Sequence, residues 1–495
     1  SPAWRTGAPS LEVVLFFCQR CLTMGSGWVL VTAGGGLATV GLLAAAAFVL
    51  DLKKRWFWSV PVVPPTIEMA QQEPMDSCQL FVYLPELKGK VAWRKLGDYP
   101  TPVHHCELPV DGKALRIYFK REDMSSDRYG GNKVRTLEFQ LACCAAAHSS
   151  RHNGAPPRRA RVYATGAPGS NQIVAAAVHS RGILDCIETV GLFMMPENAN
   201  VETGMNMASS YSLVPHIFPN FTIPRILRSL KLLVQALYFT SGDFVLPSGG
   251  ANPTGALGHV SAALELAEQV RQRLLEEPNR IVVPLGSGCT TSGLIIGICV
   301  CRKLGLGFSE LRKVHSVGIH QMMALGNGFF PRRMVKELVV NTTKVLADLG
   351  GPDVQAEARK FIEEDWVMET TFTGNYGEPT EESLEARQLF GEGHAFVGHH
   401  AGVQPPWMCH TFNSKALACL LHNVRAGTIG IDETVVVWST KSLVQPIGPV
   451  DPLRKVRSDS AANSLHHRSE TFLSESGIET RDDLFAFEYA KEIPM

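Results

Sequence analysis

Apolar and polar positions along most of this chain fall into strand-like runs followed by helical patterns. The runs LRIYFK (115–120), RVYATG (161–166) and NRIVVPLG (279–286) are short, apolar and rich in β-branched or aromatic residues, which predicts strands. From Val134 the apolar residues recur at Leu137, Leu141, Ala142 and Ala145, one face of a helix, so Lys133 falls in its first turn. NQIVAAAVHSRG (171–182) and TTSGLIIGICVCRKLG (290–305) read as further helices, and no internal repeat is present. Strands alternating with helices predict an α/β protein with parallel sheets.

The two ends depart from this pattern. Behind an N-terminal flank (1–25), residues 26–50 carry no charge over 25 positions. As a helix they would run roughly 37 Å, enough for a bilayer core of about 30 Å. Lys53, Lys54 and Arg55 follow at once, with Trp56 and Trp58 at interfacial positions. This arrangement predicts a transmembrane helix with the body on the cytosolic side. A buried helix, or a targeting segment such as a mitochondrial one, is the alternative. Residues 51–78 read as a linker whose proline-rich part, 59–75, is a spacer. HSSRHNGAPPRRAR (148–161) reads as a polar surface loop, and the segment from Asp451, within 446–495, as a poorly ordered tail.

Charge narrows the function classes. Lysine and arginine number 47, aspartate and glutamate also 47, and this zero balance argues against a nucleic-acid partner, which needs a basic excess. The 12 cysteines lack the regular spacing of a disulfide framework, in keeping with a reducing compartment. Cys18 and Cys21 form a CxxC without a second pair, too few ligands for a zinc ribbon. His399, His400 and His410 gather near Cys409, but no metal-ligand spacing supports them and no metal is expected.

The chemistry collects at glycine-rich junctions. In RYGGNKVRTLEF (128–139) two glycines precede Lys133; they can take positive φ and let a ligand approach the backbone. A cation in the first helical turn faces the positive end of the dipole, which costs up to ~1 kcal/mol and lowers the amine's pKa. RIVVPLGSGCTTSGLIIGI (280–298) puts a strand, a Gly-Ser-Gly loop, two threonines and a helix in sequence, an anion site too short for a dinucleotide. It lacks the lysine of a P-loop, and Thr291 stands where the dinucleotide fingerprint needs its third glycine. TGAPGSNQ (165–172), PSGGANPTGALGHV (247–260) and YGEPTEESLEA (376–386) are further junctions of this kind. Several such junctions at strand ends build a ligand crevice in an α/β fold.

Together these five segments, in this order and spacing, resemble the pyridoxal-phosphate enzymes related to D-cysteine desulfhydrase and 1-aminocyclopropane-1-carboxylate deaminase, over about residues 79–445. The resemblance implies the two-domain fold type II, tryptophan synthase β-like, with the smaller domain within about 136–245, commonly as a homodimer. It makes Lys133 the cofactor lysine and pyridoxal 5'-phosphate the cofactor. Position by position, it implies that Asn171 bonds the cofactor's ring oxygen and that Ser170 lies near the substrate carboxylate. It gives the phosphate to Gly286, Ser287, Gly288, Cys289 and Thr290, and makes Tyr376 an active-site tyrosine. Free lysine titrates near ~10.4, so about three units must be removed for the amine to react near neutral pH. Arg135 and desolvation are expected to add to the helix dipole here.

The chain also departs from the family. CHTFNSKA (409–416) stands for DPVYTGKA or DPVYEGKS, so Phe412 replaces a tyrosine and Asn413 a threonine or glutamate; Ser439, Thr440, Lys441 and Ser442 stand for HTGG. Phe412 is expected to stack on the ring without donating a hydroxyl, and Asn413 and Thr440 to share a neutral hydrogen bond with the ring nitrogen. Neutral partners favour β-elimination of a good leaving group. The expected function is a lyase deaminating a small amino acid, D-cysteine desulfhydrase-like. The alternatives are 1-aminocyclopropane-1-carboxylate deaminase and a catalytically weak cofactor-binding protein.

Overall fold

The structure is a computed structural model that describes residues 51, 54–55, 57–72, 75–151, 159–181, 187–193, 198–219, 243–324, 328–397, 402–462 and 466–493. β1 (Val103–Val110) and β2 (Lys113–Lys120) form an antiparallel hairpin whose two-residue turn, Asp111-Gly112, takes positive φ at both positions. β3 (Ala160–Gly166), β4 (Ile187–Phe193), β5 (His216–Pro219) and β6 (Phe244–Leu246) make a parallel four-stranded sheet in the order β5-β4-β3-β6. β7 (Arg280–Leu285), β8 (Lys313–Gly318), β9 (Trp366–Glu369), β10 (Ala395–Phe396) and β11 (Val435–Trp438) join the hairpin in a seven-stranded sheet, β10-β1-β2-β11-β7-β8-β9. From β2 to β9 its neighbours are parallel. The strands expected at 115–120, 161–166 and 279–286 are thus β2, β3 and β7, and the expected parallel α/β class is found.

Helix Lys133–Arg151 begins where the periodicity placed it, but it is buried on nearly every side rather than along one face. It packs against helices Asn171–Ser180 and Pro253–Arg271, and its LACCAAA stretch is small enough for close approach on several faces.

Three expectations about the ends meet the structure differently. The predicted span 26–50 lies outside the described residues; among the described residues no helix is long and apolar enough to cross a membrane. The supposed spacer is packed: Val60 and Met69 lie in the core, and Thr254 Oγ1 donates to Val60 O at 3.0 Å. Its prolines keep 61–66 out of regular structure, and a short helix, Ile67–Gln72, follows them. The supposed tail is ordered, with helices Pro452–Ala462, His467–Glu475 and Arg481–Phe485. Apolar residues set among its serines and charges, Leu453, Val456, Phe472, Leu473 and Leu484, are buried. It closes with β13 (Ala490–Glu492) beside β12 (Gln445–Ile447).

Behind the start of helix Lys133–Arg151 lies a buried ion cluster. Arg135 pairs with Glu122 at 2.6 Å and with Glu265 at 2.8 Å, and Lys120 reaches Glu265 at 2.5 Å. Burial pushes the Glu265 carboxyl up, but the Arg135 and Lys120 cations outweigh it and bring the pKa from 4.5 to about 2. A carboxyl depressed in the folded state stabilises the fold fully above its unfolded pKa and loses that contribution as pH falls toward the folded one. Urea denaturation midpoints are therefore expected to fall between pH 4.5 and about 2. Glu265→Gln, which leaves two buried cations short of a partner, is expected to cost about 3–5 kcal/mol at neutral pH.

Candidate active site

The C-terminal ends of the parallel strands converge on Lys133. Gly131 forms a bridge with Lys441 just beyond β11, and Asn132 N donates to Thr440 O at 3.3 Å. Gly131 takes φ +98°, and a Cβ there would stand 2.6 Å from Thr440 O; at Gly130 it would stand 2.4 Å from Asp123 O. Both glycines admit neighbouring backbone rather than a ligand, which corrects the expectation. The half-buried Lys133 amine donates to Gly249 O at 3.2 Å. Burial lowers its pKa, opposed by the Cys289 thiol. Arg135, expected to help, is instead engaged by Glu122 and Glu265 behind the helix start.

Gly249 O also accepts from Ser287 Oγ at 3.3 Å, so the lysine amine and the Gly286–Thr290 loop meet at one carbonyl. A Cβ at Gly249, itself at φ +63°, would fall 2.3 Å from Ser287 Oγ and 3.5 Å from Lys133 Nζ. The loop opens helix Cys289–Lys303, whose first internal bond runs from Ser292 N to Gly288 O, leaving the amides of Cys289, Thr290 and Thr291 outside the ladder. Those amides and the helix dipole form an anion cradle. The Cys289 thiol turns to Gly250 O (3.3 Å) and burial pushes its pKa up to about 11. Thr290 Oγ1 takes the Asn132 amide at 2.8 Å, tying the loop to the lysine segment.

On the smaller sheet's side, Asn171 opens helix Asn171–Ser180 and Ser170 is its N-cap, with Oγ accepting from Gln172 N at 3.3 Å. Ser170 thus has a structural task beside the one implied for it. Asn171 Oδ1 accepts from Tyr129 Oη (2.9 Å), Asn206 Nδ2 (3.0 Å) and Lys441 Nζ (3.0 Å). Three donors on the oxygen fix the carboxamide and leave its NH2 end as the donor toward a ligand.

Asn413 and Thr440 part company. Asn413 Nδ2 donates to Trp407 O (2.8 Å) and Ser439 Oγ (3.1 Å), and its Oδ1 accepts from Thr440 N (3.1 Å). Both ends of the amide serve the protein, so Asn413 braces the segment after β11, a task beside the ring contact expected of it. Thr440 Oγ1 is buried, and among the described residues nothing bonds it. Phe412 and Tyr376 meet edge to face, ring centres 6.1 Å apart, with His320 6.3 Å beyond Tyr376. Lys415, whose pKa burial lowers to about 8, donates to Ile319 O and Thr373 O and so anchors the loop that carries Tyr376.

Comparison with known proteins decides what this crevice is. The family described as "Pyridoxal-phosphate dependent enzyme" matches residues 95–402. Nocardicin C-9' epimerase of Nocardia uniformis is 30% identical over 361 residues, covering 71% of this chain and 94% of that protein. This chain belongs to the pyridoxal-phosphate-dependent enzyme family. A candidate 1-aminocyclopropane-1-carboxylate deaminase of Pyrococcus furiosus is 28% identical over 348 residues, 68% of this chain and 88% of that protein. D-cysteine desulfhydrase of Klebsiella pneumoniae is 26% identical over 300 residues, 59% of this chain and 79% of that protein. In fold, the crystal structure of an ACC deaminase homologue aligns at TM-score 0.51 and 19% identity, over 75% of this chain and 95% of that one. The expected fold type II is the one found.

The residues of this pyridoxal-phosphate-dependent enzyme fit its cofactor. A desolvated amine, a glycine that a Cβ would close, an open helix N-terminus and an orphaned hydroxyl at Thr440 are each left for a ligand to complete. Reading the sequence missed Tyr129, Asn206 and Gln445, and treated Lys441 only as a lost glycine. Tyr129 was within reach, since it sits inside the lysine motif. Asn206 and Gln445 lie in ordinary helical and strand contexts that carry no local signal. Among the described residues no cluster of His, Cys, Asp or Glu is arranged for a metal; His399 and His400 lie outside them.

The contrast between Asn413 and Thr440 is testable. Thr440→Val is expected to leave the apo-protein's urea midpoint unchanged or higher while weakening cofactor affinity about tenfold, the worth of one hydrogen bond of ~1–1.5 kcal/mol. Asn413→Ala is expected to cost about 1–3 kcal/mol in the apo-protein, read in the same denaturation, because it orphans buried partners.

Proposed function

We propose that this enzyme is a lyase that deaminates a small amino acid by β-elimination, with D-cysteine or a close analogue as substrate and pyruvate, ammonia and sulfide as products. The observation that supports this reading is the neutral, unpaired Thr440 hydroxyl at the site, with the neighbouring Asn413 a neutral amide bonded to Trp407, Ser439 and Thr440. The bound cofactor supplies an electron sink for the charge left at Cα. Lys133 would hold the cofactor, and its amine is the group that would take the Cα proton. Its lowered pKa suits that transfer, since burial has already stripped the ammonium of water. Ser287 and the amides opening helix Cys289–Lys303 would hold the phosphate, and Asn171 would donate to the ring oxygen. Ser170 would donate its hydroxyl proton to a substrate carboxylate while its oxygen caps the helix. Tyr376 presents a hydroxyl beside Phe412, which contributes only an apolar edge. The Cα–H electrons form the Cα–Cβ double bond as sulfide leaves Cβ with its own pair, and the released enamine hydrolyses to pyruvate and ammonia.

The similarity to a candidate 1-aminocyclopropane-1-carboxylate deaminase supports a second reading, ring opening of that amino acid. It has no hydrogen at Cα, so the first step would differ. Wild-type protein is expected to release sulfide and pyruvate from D-cysteine, and Lys133→Ala to lose at least about a hundredfold in rate. Activity that survives in the variant refutes the mechanism. Ammonia from 1-aminocyclopropane-1-carboxylate without sulfide from D-cysteine favours the second reading, and cofactor binding with no product from either favours a weakly catalytic binding protein.

The same reading includes a homodimer tethered to a membrane by residues 26–50, with the body in the cytosol. The support is the uncharged length of that segment and the cationic cluster behind it. The full chain is expected in the membrane fraction, extractable by detergent but not by high salt, and a chain starting at residue 55 in the soluble fraction.

A further inference from the structure

Lys441 stands where the family motif HTGG has its first glycine, yet it is 2% exposed and makes three strong contacts. An ammonium has three N–H bonds. Here each finds an amide oxygen: Asn171 Oδ1 at 3.0 Å, Asn206 Oδ1 at 3.0 Å and Gln445 Oε1 at 2.9 Å. The ring of Trp407 lies 4.7 Å away on one side and that of Tyr129 5.7 Å on another.

The cage is held from outside, so it shapes the lysine rather than following it. Asn206 Nδ2 is fixed by Gly169 O (2.8 Å) and Asn171 Oδ1 (3.0 Å), and Gln445 Nε2 by Ser209 Oγ (2.7 Å). Tyr489, from the C-terminal segment, stacks on Trp407 with ring centres 4.5 Å apart and closes that side. Burial brings the lysine's pKa down to about 8, opposed by Cys409 from the loop before Asn413 and Glu202 from helix Val201–Leu213, with the Tyr129 phenol the other titratable group facing it. Three satisfied donors and two aromatic faces are the surroundings of a cation, and a neutral amine would leave one acceptor without a partner.

We propose that Lys441 is a positioning residue that delivers positive charge to the cofactor's ring oxygen through the Asn171 carboxamide. The proposal rests on the reading of Asn171 as that oxygen's partner. The lysine draws on Asn171 Oδ1, which locks the amide and makes its Nδ2–H a stronger donor at the other end. At position 413, where the resemblance places a threonine or glutamate, this chain has a neutral asparagine, and Thr440 beside it offers a neutral hydroxyl. The Lys441 charge acts at the ring-oxygen end, a site where the family motif places a glycine and no charge.

The test follows the visible absorbance of the cofactor-loaded enzyme against pH in wild type, Lys441→Met and Lys441→Arg, with thermal unfolding of each as a check on folding. A cation beside the ring oxygen disfavours protonation of the chromophore, so its loss in Lys441→Met is expected to move the pH midpoint of the band upward by about one unit. Lys441→Arg, which keeps the charge, is expected to stay closer to wild type. Equal midpoints in wild type and Lys441→Met overturn the proposal, and so do equal shifts in the Met and Arg variants, which indicate lost packing. If Lys441→Met does not fold, Lys441→Gln takes its place with the same expected direction, and an unmoved midpoint there overturns the proposal. Wild type that forms no visible band with added pyridoxal phosphate overturns the underlying reading of the site itself, a result distinct from the others.

Discussion

The bridge between Gly131 and Lys441 is the constraint on which the site depends. It fixes the lysine segment against the chain leaving β11, and a side chain at position 131 would collide with Thr440 O. Through it, one short contact sets three groups at once: Lys133 at a helix start, Thr440 with its hydroxyl unpaired, and Lys441 inside its cage. Helix Lys133–Arg151 can hold that position because it is buried on most sides and anchored behind by the Arg135–Glu122–Glu265–Lys120 cluster. Such a cluster adds little net stability over an apolar core of the same shape. Its work here is to fix direction, since a guanidinium shared by two carboxylates cannot rotate freely.

The electrostatics of the crevice follow from how each charge is shared. Arg135 stands two residues from Lys133, and its guanidinium is shared by the Glu122 and Glu265 carboxylates. Lys133 instead loses proton affinity by burial. Lys441 is buried as well, but three oxygens and two aromatic faces receive it, so its surroundings suit the charged form. Burial lowers the proton affinity of both lysines, but only Lys441 has an acceptor for each of its three N–H bonds.

How much of this was legible depended on whether the signal was local. The glycine-rich junctions, the order of strands and helices and the lysine behind two glycines are local, and the fold type followed from them. Asn413 and Thr440 looked equivalent as polar residues near the ring. They separate only because Trp407, Ser439 and the Thr440 amide take up every polar atom of Asn413. The segments before residue 75 and after residue 451 read as spacer and tail on composition, since prolines, serines and charges dominate them. A handful of apolar residues in each is enough to seal the core, and Tyr489 even reaches the wall of the Lys441 cage.

By itself the sequence determined the α/β architecture and the family, and it marked out a lysine behind two glycines and a glycine loop at a helix start. Each of these is written in residues adjacent along the chain, where spacing and backbone freedom act directly. The tertiary structure alone decided which polar atoms remain open to a ligand and which charges are already balanced. Those properties depend on partners hundreds of positions apart, as when Lys441 meets Asn171 and Asn206, and no periodicity along the chain encodes them.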